Sequence, residues 1–167
     1  MRAGEEEEEE EKSRAGARRS RLTLERAAIE GCIPHREPFL FLDRVEIETE
    51  DAASATWHVP PEADFFRGHF PGNPVTPGVI LCEHTFQAGA VLLVGRDPSA
   101  ERGLMLLARI EKAKFKRMVR PGETLETRVR LVDAVGPASY LDCEASVGGE
   151  LALELRCVLT KGRGSKA

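Results

Sequence analysis

The sequence predicts an α+β fold, a single antiparallel β-sheet wrapped around one long central helix. Three observations predict it. First, Val79, Ile80, Leu81, Cys82, Phe86, Ala88, Ala90, Val91, Leu92, Leu93 and Val94 place apolar groups on every face of one helical segment, as in a helix buried all round. Only Glu83, His84, Thr85 and Gln87 interrupt it with polar side chains. Second, strand-like segments follow one another instead of alternating with helices. Third, Pro121-Gly122, Gly136-Pro137 and Gly148-Gly149 separate those segments and read as hairpin turns. One sheet cannot cover all faces of a helix, so the free face is expected to meet a second copy of the chain, in a homodimer at least.

The elements follow in order. Residues 1–21 carry a run of glutamates from Glu5 to Glu11 and then Lys12, Arg14, Arg18, Arg19 and Arg21, with no large apolar residue after Met1. This stretch reads as a solvated, disordered tail, with a docking arm as the alternative. A single domain is expected over 22–167. From Leu22 the residues Leu24, Ala27, Ala28 and Ile29 fall at helical spacing and Gly31 supplies a stop, so a short helix is expected there. Pro34 and Pro38 brace an extended loop leading into the apolar run from Phe39 to Val45, a buried turn and the start of a strand. Ala53, Ala55, Trp57 and Val59 then alternate with polar residues, as a half-buried strand requires.

Beyond the Gly/Pro-rich stretch near residue 70, Thr76 is a natural N-cap and Pro77 a natural first helical residue, with the helix running to about Leu93 or Val94. Gly95 to Gly103 reads as a charged loop. Strands are expected from Leu104 to about Met118, Thr124 to Val135, Ala138 to Val147 and Leu151 to Thr160.

Composition narrows the function. The 167 residues suffice for one well-packed domain, and 41% hydrophobic with 31% charged residues is ordinary for a soluble globular protein. No run of about 18 apolar residues reads as a membrane span. The net charge of −4 and a pI near 5.7 argue against nucleic acid as partner. Cys32, Cys82, Cys143 and Cys157 are scattered, and the N-terminus has no apolar signal core, so free thiols in the cytoplasm are expected. His69 with His84 or Cys82 supplies no known zinc spacing, and no metal is expected.

The chemistry concentrates between Gly68 and Glu83. Gly68, Pro71, Gly72, Pro74, Pro77 and Gly78 surround one imidazole, His69, with residues that either fix the backbone or free it. A mere turn would not require so many. Imidazole is substantially neutral at pH 7 and serves as a base. Glu83 lies inside the apolar helix, where a carboxylate without a partner tends to keep its proton, which suits an acid; an ion pair with a core arginine is the other reading. Gln87, one turn on, is placed to orient Glu83. Gly78 offers an N–H without an intrahelical partner and no side chain to block close approach, although a first-turn glycine can also be merely tolerated.

Phe65, Phe66 and Phe70 are candidates to line an apolar tunnel beside His69 or to fill the core. His35 reads as a structural hydrogen-bonding residue more than a substrate contact, His84 as interface packing, and His58 as solvent-facing. Lys112, Lys114 and Lys116 share a strand face with Arg117 and Arg120 nearby, either a solvated surface or a patch that steers an acidic partner.

The ordered set of motifs resembles the 3-hydroxyacyl-acyl-carrier-protein dehydratase family of fatty acid synthesis, over about Ile33 to Thr160. Its carriers are Pro34-His35-Arg36 with Pro38-Phe39-Leu40 and Asp43-Arg44-Val45; Gly68-His69-Phe70-Pro71-Gly72 with Pro74-Val75 and Pro77-Gly78-Val79; Glu83 and Gln87; and Lys114-Phe115-Lys116-Arg117 with Pro121-Gly122-Glu123. Glu37, His84, Thr85, Phe86 and Met118 depart from the family's usual residues, as does the acidic tail. They bear on chain-length preference and pathway more than on reaction type.

The resemblance implies the hot-dog fold and no cofactor. It also implies an active site at a dimer interface, with His69 of one chain taking the α-proton and Glu83 of the other attending the departing hydroxyl. The partner implied is an acyl carrier protein bearing the thioester, and the assembly a homodimer or trimer of dimers. Two rivals stand beside the dehydratase reading: a thioesterase on the same fold, and a noncatalytic acyl-carrier-protein binding partner.

Overall fold

The computed structural model describes residues 21–96 and 104–162. The tail expected over residues 1–21 falls outside them apart from Arg21, and so does most of the Gly95–Gly103 loop.

Seven strands form one sheet: β1 (Leu22–Glu25), β2 (Arg44–Thr49), β3 (Ala52–His58), β4 (Met105–Phe115), β5 (Thr124–Val135), β6 (Ala138–Val147) and β7 (Glu150–Lys161). Their order is β1-β2-β3-β5-β6-β7-β4, with every neighbouring pair antiparallel. A short helix α1 (Arg26–Cys32) follows β1, a 3₁₀ turn spans Asp64–Arg67, and the long helix α2 (Gly78–Arg96) packs against the sheet. This is the sheet-around-helix arrangement that the resemblance implies.

The core lies between α2 and the inner face of the sheet. Ala53, Ala55 and Trp57 of β3, Leu125 and Val129 of β5, Leu141, Cys143 and Ala145 of β6, and Leu153, Leu155, Cys157 and Leu159 of β7 alternate inward as period-two strands must. They meet an unbroken buried run on the helix, His84 to Leu92. The helix packs closely on the sheet at Gly89, where a Cβ would stand 2.5 Å from Leu141 Cδ1 and 3.3 Å from Leu159 Cδ1. Any side chain there would have to push the Leu141 methyl aside. The first turn of α2 is less covered, and Val79 is 75% exposed.

Three local expectations are corrected. Leu22 to Glu25 is a strand and not the opening of a helix: it pairs residue for residue with Arg44–Ile47 along the edge of β2, and α1 begins only at Arg26. Four residues are too few for periodicity to separate the two, and the pairing partner lies twenty residues away. Pro121-Gly122 turns the chain, with φ +79° at Gly122, but it is not a hairpin, because β4 pairs with β7 and β5 with β3 and β6. Gly136 and Gly148-Gly149, also at positive φ, do close the hairpins expected of them. Thr76 does not cap α2: its hydroxyl is buried without a partner, and Pro77, placed just before the helix, supplies the carbonyl that accepts from the Ile80 and Leu81 N–H groups.

The edge strand β4 ends at Phe115, three residues earlier than expected, and bulges twice against β7. All of its residues except Met105 are exposed, including Leu106, Leu107, Ile110 and Phe115.

Candidate active site

His69 sits in a loop that closes on itself. Its Nδ1 lies 2.7 Å from the Val75 carbonyl oxygen, and the Val75 N–H returns a bond to the His69 carbonyl at 3.0 Å. A carbonyl only accepts, so Nδ1 carries the proton and Nε2 is left as a bare, basic lone pair. Between these anchors Phe70–Asn73 forms a β-turn, with Pro71 and Gly72 at its centre and Gly72 at φ +76°. Arg120 braces the loop from outside by donating to Asn73 Oδ1 at 3.1 Å. The His69–Phe70 peptide bond is cis. Phe70 stacks on the imidazole with centroids 4.0 Å apart and is 52% exposed, whereas Phe66 is core and Phe65 packs beside it.

Gly78 opens α2. No helical bond takes its N–H, and its bare Cα lies under the Phe115 ring, so that a Cβ would stand 2.9 Å from Phe115 Cε1. The positive end of a 19-residue helix thus presents a half-buried backbone donor.

Glu83, one and a half turns further on, is not the unpaired core carboxylate that its apolar surroundings suggest. Its side chain is 22% exposed, Oε1 accepts from the Gln87 amide at 2.9 Å, and His35 Nε2 stands 3.4 Å from the same oxygen. Gln87 does more than orient Glu83. Its amide also donates to the Phe39 carbonyl at 3.0 Å, and its oxygen accepts from the Phe41 N–H at 2.8 Å. Among the described residues no hydrogen bond or ion pair joins His69 to Glu83 within one chain.

His84 is corrected from interface to core. It is fully buried, stacked on Trp57, and holds both ring nitrogens in bonds: Nδ1 to the Phe41 carbonyl at 2.6 Å and Nε2 to Thr127 Oγ1 at 2.8 Å. Burial, the larger influence, pushes its pKa down to about 4 despite the carbonyl and the nearby Asp43 charge. His58 is exposed, as its place in the strand alternation predicts.

Glu37, one of the departures from the family pattern, pairs with Arg26, which also donates to Asp43 Oδ1 at 2.9 Å; Asp43 in turn accepts from the His58 N–H. Arg117 is held by Glu123 and Glu150, so it belongs to the frame rather than to a free cationic patch. Lys114 and Lys116 have no ion-pair partner among the described residues.

The contact at the site that the sequence undervalues is His35 with Glu83. Pro34 on one side and a proline three residues on marked a rigid loop, but nothing in the spacing says that this loop folds back on a helix nearly fifty residues later.

Comparison with known proteins bears on the family and the fold. The FabA-like domain matches residues 33–156. A 3-hydroxyacyl-acyl-carrier-protein dehydratase FabZ of Bacillus pumilus is 37% identical over 140 residues, covering 83% of this chain and 96% of its own length. One from Thermomicrobium roseum is 43% identical over 132 residues, covering 78% and 88%. Among solved structures, the dehydratase heterocomplex ApeI:P from Xenorhabdus doucetiae superimposes with a TM-score of 0.70 at 16% identity, over 81% of this chain and 91% of that one, a likeness of fold.

Proposed function

The chain belongs to the FabA-like family, and from that premise we propose that it is a hydro-lyase converting a (3R)-3-hydroxyacyl-acyl-carrier-protein to the trans-2-enoyl thioester and water in fatty acid or related acyl-chain biosynthesis. The observation that carries this reading is the fixed imidazole: Nδ1 is occupied by the Val75 carbonyl, so Nε2 of His69 is a neutral base.

In this reading His69 Nε2 takes a proton from C2 while negative charge develops on the thioester oxygen, which the Gly78 N–H and the helix N-terminus stabilise. Glu83 delivers a proton to the C3 hydroxyl as the C3–O bond breaks, and water leaves. The C2–H electron pair becomes the C2=C3 double bond. Protonated His69 and ionised Glu83 then exchange protons with solvent, and the reverse sequence is hydration. Phe70, stacked on the imidazole and exposed, is assigned to the wall along which the acyl chain lies.

The site takes His69 from one chain and Glu83 from the other. Two features support a homodimer, alone or within a trimer of dimers. The edge strand β4 has a free side and carries apolar residues that a monomer would ordinarily protect, and Val79 and Phe115 are exposed beside Gly78. Lys114 and Lys116 are assigned to steer an acidic carrier protein, and none of the four cysteines is joined in a disulfide, which supports the cytoplasm as the place of action.

Incubating the protein with a short 3-hydroxyacyl carrier-protein thioester, while following enoyl product and free thiol together, tests the reaction. Enoyl formation without thiol release, lost in His69→Ala, is expected. Thiol release by the wild type would make it a thioesterase, and carrier-protein binding without turnover a noncatalytic partner.

A further inference from the structure

The two oxygens of Glu83 stand in different surroundings. Oε1 accepts from Gln87 and faces His35, whereas no hydrogen bond or ion pair reaches Oε2 among the described residues. We propose that His35 is a positioning residue for Glu83: with Gln87 it anchors Oε1, and so leaves Oε2 as the oxygen that carries the proton given to the departing hydroxyl. This rests on the reading of Glu83 as the acid.

The imidazole is placed for this by its own loop. Arg36 donates from Nη1 to the carbonyls of His35 at 2.7 Å and Ile33 at 3.0 Å, and from Nη2 to that of Glu30 at 3.0 Å. The Phe39 ring stacks along His35, centroids 6.5 Å apart and planes 20° from parallel. The loop is in turn pinned to α2 by Gln87, through Phe39 and Phe41, and by His84, through the Phe41 carbonyl. Residues of α2 that flank Glu83 thus hold the segment that carries His35 back to Glu83.

The second observation is His35 Nδ1, which is buried with no hydrogen-bond partner. A buried N–H without an acceptor is rarer and costlier than a bare lone pair, so the proton belongs on Nε2, facing Glu83. A ring kept only for packing has no reason to retain an unpaired nitrogen there. The 3.4 Å separation is long for a hydrogen bond and is of the kind that tightens when substrate closes the site.

The consequence falls on the transition state. As Oε2 gives its proton to the C3 hydroxyl oxygen and water departs, the charge left on the carboxylate spreads to Oε1, where the His35 and Gln87 donors stabilise it. His35 itself touches no reacting atom, so its loss should lower kcat and spare KM.

The test compares His35→Leu, which removes the donor, with His35→Gln, whose amide nitrogen reaches the position of Nε2. The Leu variant is expected to lose about 10- to 100-fold in kcat, the scale of one hydrogen bond to a charged group. Its KM should stay within about 3-fold of wild type, and the Gln variant should recover kcat to within about 5-fold. A Leu variant with wild-type kcat would overturn the proposal, and so would a Gln variant as slow as the Leu variant, since that would make His35 a packing element. Glu83→Gln is measured alongside. Wild-type turnover in that variant would remove the acid role of Glu83 itself, a failure visible without reference to either His35 variant.

Discussion

His69 and Val75 hold each other through two hydrogen bonds, the ring Nδ1–H to the Val75 carbonyl at 2.7 Å and the Val75 N–H to the His69 carbonyl at 3.0 Å. The first selects the tautomer and the second fixes the backbone that carries the ring. Replacing His69 with Ala should therefore lower kcat by about 10²- to 10⁴-fold, the range for losing a general base, with little change in melting temperature. His69→Asn, whose amide nitrogen can mimic Nδ1 but offers no base at Nε2, should keep the loop and remain inactive. Steady-state kinetics paired with thermal melts check both.

Gln87 serves the fold and the site at once. Gln87→Met keeps its size but leaves the Phe41 N–H buried without an acceptor, which should cost about 1–3 kcal/mol in urea denaturation. Because Glu83 Oε1 loses a donor in the same substitution, kcat should fall as well.

The His84 ring gives stability a defined pH dependence. Its folded pKa, about 4, lies below the ordinary 6.5, so between these values the unfolded chain binds a proton that the folded chain refuses. Stability from this group is complete above about pH 6.5 and falls as the pH drops toward 4, by roughly 3 kcal/mol in all. Glu123 and Asp142, held below their ordinary values chiefly by hydrogen bonds from Arg117 and Arg156, withdraw their contributions only at still lower pH. Urea melts from pH 7.5 to 4.5 should show the slope, and His84→Gln should flatten it.

Gly89 packs closely against Leu141 of the sheet. Gly89→Ala should destabilise by about 1–3 kcal/mol through overpacking, less the gain of up to about 1 kcal/mol in helix propensity. Gly95→Ala, near the exposed end of the same helix with only Ile47 Cδ1 within 4.0 Å, should be neutral or stabilising. The Gly89→Ala midpoint should fall, and the Gly95→Ala midpoint should hold or rise.

Much of this architecture was legible in the sequence because it rests on local rules. The strands β5 and β6 begin and end at the residues their turn signals indicated, and of the helix expected to be buried all round from Val79 to Val94, Leu81, Cys82 and His84 to Leu92 are buried, because apolar residues there left no polar face. His69 was legible because glycines and prolines crowd around it, and Glu83 because it is an ionisable group in an apolar run. What escaped depends on distant partners. Leu22–Glu25 takes its strand form from β2, the Pro121-Gly122 turn serves a crossover because β4 lies at the far edge, and His35 acquires its meaning from a helix reached only after the chain has folded. His84 escaped for a related reason: two acceptor and donor groups, the Phe41 carbonyl and the Thr127 hydroxyl, convert a polar residue into core.

The central claim is that one site draws His69 and Glu83 from different chains, and complementation tests it most directly. His69→Ala and Glu83→Ala proteins, each inactive alone, are refolded together in equal amounts, and enoyl formation is measured. Random pairing leaves both groups intact in about one site in four, so recovery to about a quarter of wild-type activity is expected. Silence from the mixture, with mixed dimers present, would contradict the claim and place the two residues in a site within a single chain.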